Sequence, residues 1–217
     1  MCSSDLEFKV LYKGAIISPP IIKLHSKPIK IVYAGNLLYD RWKVLALISK
    51  AILEVSNNQN EFQLSIYTGT ALSNEMNVSL NTKCSSVIGV VPFSEIKKII
   101  GNADIVLHVE SFKKKYINIT KFSFSTKIVD CIQSGTCIMG VGPTDLASIS
   151  FLKQSKSAIV ANTYEDICTE LQKIIQNNEI IDDYSTKMYD FSKNLFDLDI
   201  IREYIYKDII ELLSLKQ

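Results

Sequence analysis

Short runs rich in Val and Ile alternate with amphipathic stretches along most of this chain, and that alternation leaves few folds open. The runs are Ile29 to Ala34, Phe62 to Tyr67, Ser86 to Val90, Asp104 to Val109, Thr136 to Val141 and Ala158 to Ala161. Most lack a clean polar–apolar alternation, which is how strands covered on both faces of a parallel sheet read. Between them, Arg41 to Val55 carries Trp42, Leu45, Ile48 and Ile52 at helical spacing. Phe93 to Ile100 is a second helix, with Ser94 as a candidate cap. Thr126 to Gln133 is a third that stops at Gly135, and Tyr164 to Ile175 a fourth. Strand–helix repeats with short connections predict an α/β fold, a Rossmann-like doubly wound parallel sheet with right-handed crossovers. Ser56 to Glu61 and Asn74 to Lys83 read as polar loops.

The alternation is bounded. Residues 1–27 are irregular, with Pro19-Pro20 and then Pro28, and read as a linker-like lead-in. Residues 28–182 hold the α/β domain. Residues 183–217 form a C-terminal helical tail of crossing helices, with Tyr184, Met188 and Phe191 and then Ile200, Ile201, Tyr204, Ile205, Ile209, Ile210 and Leu213 as its apolar positions, as packing against a core or an interface requires. The 217 residues, 47% of them hydrophobic, suffice for one large core and a small appendage. A formal charge of +1 shows none of the basic bias of a nucleic-acid binder. Cys2, Cys84, Cys131, Cys137 and Cys168 form no CxxC, and His25 and His108 are not spaced for a metal, so reduced buried thiols and no metal are expected. No secretory signal is visible and no apolar run reaches the ~18 residues of a membrane span. The cytoplasm is the expected location, with a peripheral contact at the inner face of the membrane left open.

In open α/β sheets ligands bind beyond the carboxyl ends of the strands. After the first strand come Gly35 and Asn36, then Arg41 and Lys43 at the opening of a helix. Gly35 lets a ligand approach the backbone, and the two cations suit a diphosphate; a tight turn with solvated basic residues reads equally well. Glu110-Ser111-Phe112 and the run Lys113 to Lys115 follow the fourth strand and read as a solvated loop or a face for an anionic acceptor or membrane. The richest stretch is Phe124 to Gly135. Ser125 and Thr126 stand at a helix start and can donate to a phosphate. Lys127 lies in the first turn, where a cation opposes the helix dipole unless an anion compensates it. Asp130 follows at i+3 and can accept hydrogen bonds from ribose hydroxyls. The alternative is an ordinary Lys127–Asp130 surface ion pair.

Ser125-Thr126-Lys127-Ile-Val-Asp130-Cys-Ile-Gln-Ser134-Gly135-Thr-Cys-Ile138 resembles the S-x-K-x-x-E-x-x-x-x-G-x-P-V/I segment of retaining GT-B glycosyltransferases of the "glycosyl transferases group 1" type. The resemblance spans roughly residues 30–180. It includes the Gly35 turn, Gly89-Val-Val-Pro-Phe93, Ala103-Asp104-Ile-Val-Leu and Gly142-Pro143-Thr-Asp145. It implies a C-terminal, nucleotide-sugar-binding domain, one half of a GT-B fold. On it, Asp130 holds the ribose, Lys127 with Arg41 or Lys43 neutralises the diphosphate, Val90 and Val91 border the base, and Gly35 and Asn36 border the phosphates. It further implies transfer of a sugar from a nucleoside-diphosphate sugar to an acceptor hydroxyl, with retention and without a metal or other cofactor, in glycan or polysaccharide biosynthesis. The expected partners are that donor, an N-terminal GT-B domain for which 217 residues leave no room, and an acceptor glycan or lipid-linked glycan; this chain alone is expected to be an inactive half. Asp130 stands where Glu is commoner, Cys137 where Pro is commoner, and Phe122 where many relatives carry an acidic residue near the donor sugar. A GT-B-fold nucleotide-sugar epimerase and a non-enzymatic α/β binding module are the alternative readings.

Overall fold

The computed structural model describes residues 13–57 and 59–214. Residues 1–12 and 215–217, assigned above to the lead-in and the tail, lie outside the described residues, as does Cys2. Six strands form one all-parallel sheet: β1 (Ile29–Ala34), β2 (Phe62–Tyr67), β3 (Ser85–Gly89), β4 (Ile105–Val109), β5 (Cys137–Val141) and β6 (Ile159–Ala161), in the order β3-β2-β1-β4-β5-β6. The Rossmann-like doubly wound expectation is met. Every residue of β4 and β5 is buried, which is why those runs show no alternation.

The helices divide between the two faces. One face packs Ile31, Leu64, Ile105 and Met139 against α1 (Arg41–Val55) and α7 (Tyr164–Gln176). The other packs Val32, Val106 and Ile138 with Ile100 of α3 (Phe93–Asn102), Ile128 and Ile132 of α5 (Thr126–Gln133) and Leu152 of α6 (Ala147–Ser155). Burying such a side chain contributes about 1.5–3 kcal/mol each. Among the described residues no helix is long and apolar enough to cross a membrane.

Several expectations are corrected. The loop expected from Asn74 to Lys83 contains α2 (Asn74–Leu80), begun by Ser73, whose hydroxyl accepts the Met76 amide at 3.2 Å. Only Leu80 of it is buried, so no apolar stripe announced it. The lysine run opens α4 (Lys114–Thr120), which buries no side chain. Ser94 does not cap α3: Pro92 holds that position, its carbonyl accepting the Glu95 and Ile96 amides. The tail's helices are α8 (Ile180–Ser192), which starts ahead of the boundary expected at residue 183, and α9 (Leu198–Ser214). The break follows from Asp197, whose carboxylate accepts the Asp199 and Ile200 amides and so starts a new helix.

The lead-in, where it is described, is fastened to the domain. The Ala15 amide donates to the Phe196 carbonyl and its own carbonyl accepts the Leu198 amide. The His25 ring lies between the carboxylates of Asp104 (2.8 Å) and Asp182 (3.1 Å), and Lys23 reaches Asp104 at 3.0 Å. Gly135, at φ 69°, ends α5 in the left-handed region, and a Cβ there would meet the Pro19 carbonyl.

Candidate functional site

The strand order reverses between β1 and β4, and the sheet opens there into a crevice at the carboxyl ends of the strands. A cavity of about 880 Å³ occupies it, large enough for a nucleotide-sized ligand. Its walls come from the loop after β1, the turns after β2 and β3, the end of β4, and the start of α5. Gly35, Asn36, Arg41, Val90, Val91, Ser125, Thr126, Lys127 and Asp130 all line it. Lys43 does not: its ammonium lies 3.5 Å from the Asp40 carboxylate and over the Trp42 ring, two residues past Arg41 and so on another side of the helix.

The loop after β1 aims Arg41. Tyr39 and Asp40 both adopt φ 59°, a left-handed pair costing about 1–2 kcal/mol per residue. The Arg41 guanidinium then reaches Asn36 Oδ1 at 3.1 Å and both Glu110 carboxylate oxygens at 3.2 and 3.0 Å. Tyr33 supports the turn from below, its hydroxyl donating to the Asn36 carbonyl at 2.5 Å.

Lys127 enters from the opposite wall. It makes no hydrogen bond or ion pair among the described residues, and the alternative reading of a Lys127–Asp130 surface pair is not what forms: Asp130 pairs with Lys13 instead. Its ammonium sits over the Tyr33 ring, 5.7 Å from the centroid, and against Gly35. Partial burial and then the neighbouring Arg41 charge hold its pKa below the ordinary lysine value. Ser125 stands at the N-cap of α5 without a side-chain capping bond; its carbonyl accepts the Ile128 amide at 3.0 Å, and the Thr126 and Lys127 amides are left for another acceptor. Asp130 is met by the Lys13 ammonium at 2.5 Å, with both side chains partly exposed.

Gly35 decides how close these walls come. A Cβ there would collide with the Lys127 ammonium and lie 3.0 Å from the Tyr33 hydroxyl. Because the nearest obstacle is the end of a flexible side chain, Gly35→Ala should leave the melting temperature nearly unchanged while displacing Lys127. Calorimetry should then show weaker binding of a diphosphate ligand, by roughly tenfold for one weakened charge-assisted contact.

Two groups on the floor were not assigned from the sequence. Glu110 appeared only as part of a loop, yet it is buried and holds Arg41. Burial raises its pKa against the pull of Arg41 and Lys127. His108 is also buried, its Nε2 has no hydrogen-bond partner among the described residues, and burial followed by the Lys127 and Arg41 charges pushes its pKa down to about 3. The available signal was two polar residues at the end of an otherwise apolar buried run. Phe122 is 89% exposed and is not part of the cavity wall. Among the described residues no group of three or more His, Cys, Asp or Glu side chains could hold a metal ion.

No family model matches the sequence, and no curated protein does. Solved structures do match. The pneumococcal O-GlcNAc transferase GtfA, in complex with UDP and GlcNAc, superposes with a TM-score of 0.62 at 18% identity over 92% of this chain and 39% of its own. WaaG, a glycosyltransferase involved in lipopolysaccharide biosynthesis, gives 0.64 at 11% identity over 91% and 55%. The C-terminal domain of the group 1 glycosyl transferase LpcC from Francisella tularensis gives 0.56 at 14% identity over 78% of this chain and 86% of that domain. The chain thus spans well under two thirds of GtfA and WaaG and most of the isolated LpcC domain. The chain has the fold of the C-terminal, Rossmann-like half of GT-B glycosyltransferases of the group 1 type.

Proposed function

We propose that this chain is the donor-binding domain of a glycosyltransferase, holding a nucleoside-diphosphate sugar for transfer to an acceptor hydroxyl. The observation that carries this reading is the meeting of Arg41 and Lys127 across the β1–β4 crevice, beside Gly35 and the uncapped start of α5. Two cations opposed by one buried carboxylate form an anion seat. The diphosphate lies there, the ribose at Asp130 in exchange for the Lys13 contact, and the base along Val90 and Val91. GtfA, bound to UDP and GlcNAc, lends support to this choice of ligand.

On this reading Arg41 and Lys127 stabilise the charge that grows on the leaving diphosphate, so the transfer needs no metal. Retention of anomeric configuration, a role in polysaccharide synthesis and acceptor recognition by a second, N-terminal domain follow from the group 1 resemblance. The isolated chain then binds donor without transferring sugar. Lys113, Lys114, Lys115 and Lys121, near the exposed Phe122, offer a face for a peripheral membrane contact.

A calorimetric and thermal-shift panel of UDP, GDP and ADP with their sugars tests the reading. One of them should bind the wild-type chain, and Asp130→Ala should lose about 1–3 kcal/mol of that binding. Silence across the panel would favour a non-enzymatic module, and C2 epimerisation of the donor without acceptor would favour the epimerase.

A further inference from the structure

Arg41 from α1 and Lys127 from α5 face Glu110 and His108, two residues apart at the end of β4. Tyr33 from β1 and Cys131 from α5 complete the charged and titratable surroundings. Glu110 places both carboxylate oxygens on Arg41. The buried Nε2 of His108 has no hydrogen-bond partner among the described residues and lies 3.6 Å from Glu110 Oε1, just beyond hydrogen-bond length.

We propose that a nucleoside-diphosphate sugar binds this site together with one proton, taken from solvent onto the Glu110–His108 pair and returned when the diphosphate leaves. The inference rests on the diphosphate reading above.

Burial first, and then the surplus positive charge of two cations facing one carboxylate, keeps His108 neutral. A diphosphate on Arg41 and Lys127 reverses the balance. Its negative charge repels the Glu110 carboxylate and attracts a proton to His108, so both groups move toward protonation. With the hydrogen of the neutral His108 ring on Nδ1, Nε2 and Glu110 Oε1 are two acceptors 3.6 Å apart, and a single added proton on either one supplies the donor that joins them. Only an O–H or N–H bond forms. The sign follows by linkage: the pair holds a proton more tightly in the complex than in the free site, so affinity is greatest at low pH. It falls as pH rises through the pKa of the pair in the complex. Cleavage of the sugar–phosphate bond adds further negative charge to the diphosphate, and the proton offsets it at that moment.

The test is calorimetry of UDP-glucose, GDP-mannose and ADP-glucose in two buffers of different ionisation enthalpy, over about pH 6 to 8, where these diphosphate diesters do not titrate. The binding enthalpy should change with buffer as expected for uptake of about one proton, and affinity should fall by up to tenfold per pH unit. Glu110→Gln should reduce the uptake, and the double variant Glu110→Gln with His108→Asn should abolish it. Binding with a buffer-independent enthalpy overturns the inference and leaves the diphosphate seat intact, as does undiminished uptake in a folded Glu110→Gln chain. No binding of any of the three overturns both.

Discussion

Lys127→Ala is expected to weaken binding of a nucleoside-diphosphate sugar by about 10- to 100-fold without lowering the melting temperature. The affinity loss is that of one charge-assisted contact to phosphate, about 1.5–3 kcal/mol. The unchanged stability follows because Lys127 has no hydrogen bond or ion pair among the described residues, is partly desolvated and faces the Arg41 charge. Removing such a cation relieves repulsion, so a small rise in melting temperature is the expected direction. Lys127→Arg should restore only part of the affinity, because the larger head group meets Gly35 and the Tyr33 ring. Calorimetry and thermal melting on the same preparations check both halves. A loss of stability matching the loss of affinity would make Lys127 a structural residue and sink the assignment.

Phe196→Ala is expected to have the largest effect on stability, about 3–5 kcal/mol, with a fall of roughly 10 °C in melting temperature. Phe196 is fully buried between α8 and α9 and contacts Phe124 and Phe151, with ring centroids 6.4 and 5.7 Å away. Its carbonyl also receives the Ala15 amide, so one residue joins the lead-in, the tail and the loop before α5. Phe124 immediately precedes Ser125, and the cavity it leaves should loosen the start of α5. Nucleotide affinity measured well below the melting temperature should therefore fall too, and Phe196→Leu should recover most of both losses. Intact affinity in a destabilised Phe196→Ala chain would show that α5 is positioned without this aromatic cluster.

The strands and the longer helices were legible because burial on one or two faces leaves a repeating mark on a sequence. β1, β2, α1 and α5 begin and end where their residues predict. α2, α4 and α6 were not legible. α2 buries one residue, α4 buries none, and α6 interleaves its apolar positions with serines, of which Ser148 is buried. The place where the tail breaks was not legible, because Asp197 creates the break by hydrogen bonding rather than by a change in hydrophobicity.

For the site, local spacing placed Ser125, Thr126, Lys127 and Asp130 on one helix start, and Gly35, Asn36 and Arg41 on one turn, because each group is contiguous. Which of these groups meet is a property of strand order. Pairing β1 with β4 is non-local, and it alone sets Lys127 against Gly35, Glu110 on Arg41, and the unpartnered His108 beneath both cations. Side chains that alternate along a strand and fan out around a helix carry no mark of what lies across the crevice. The alternation of runs thus determined the α/β class and the order of its strands, while tertiary packing decided that Lys13 meets Asp130 and that the floor of the cavity holds a buried carboxylate and an imidazole.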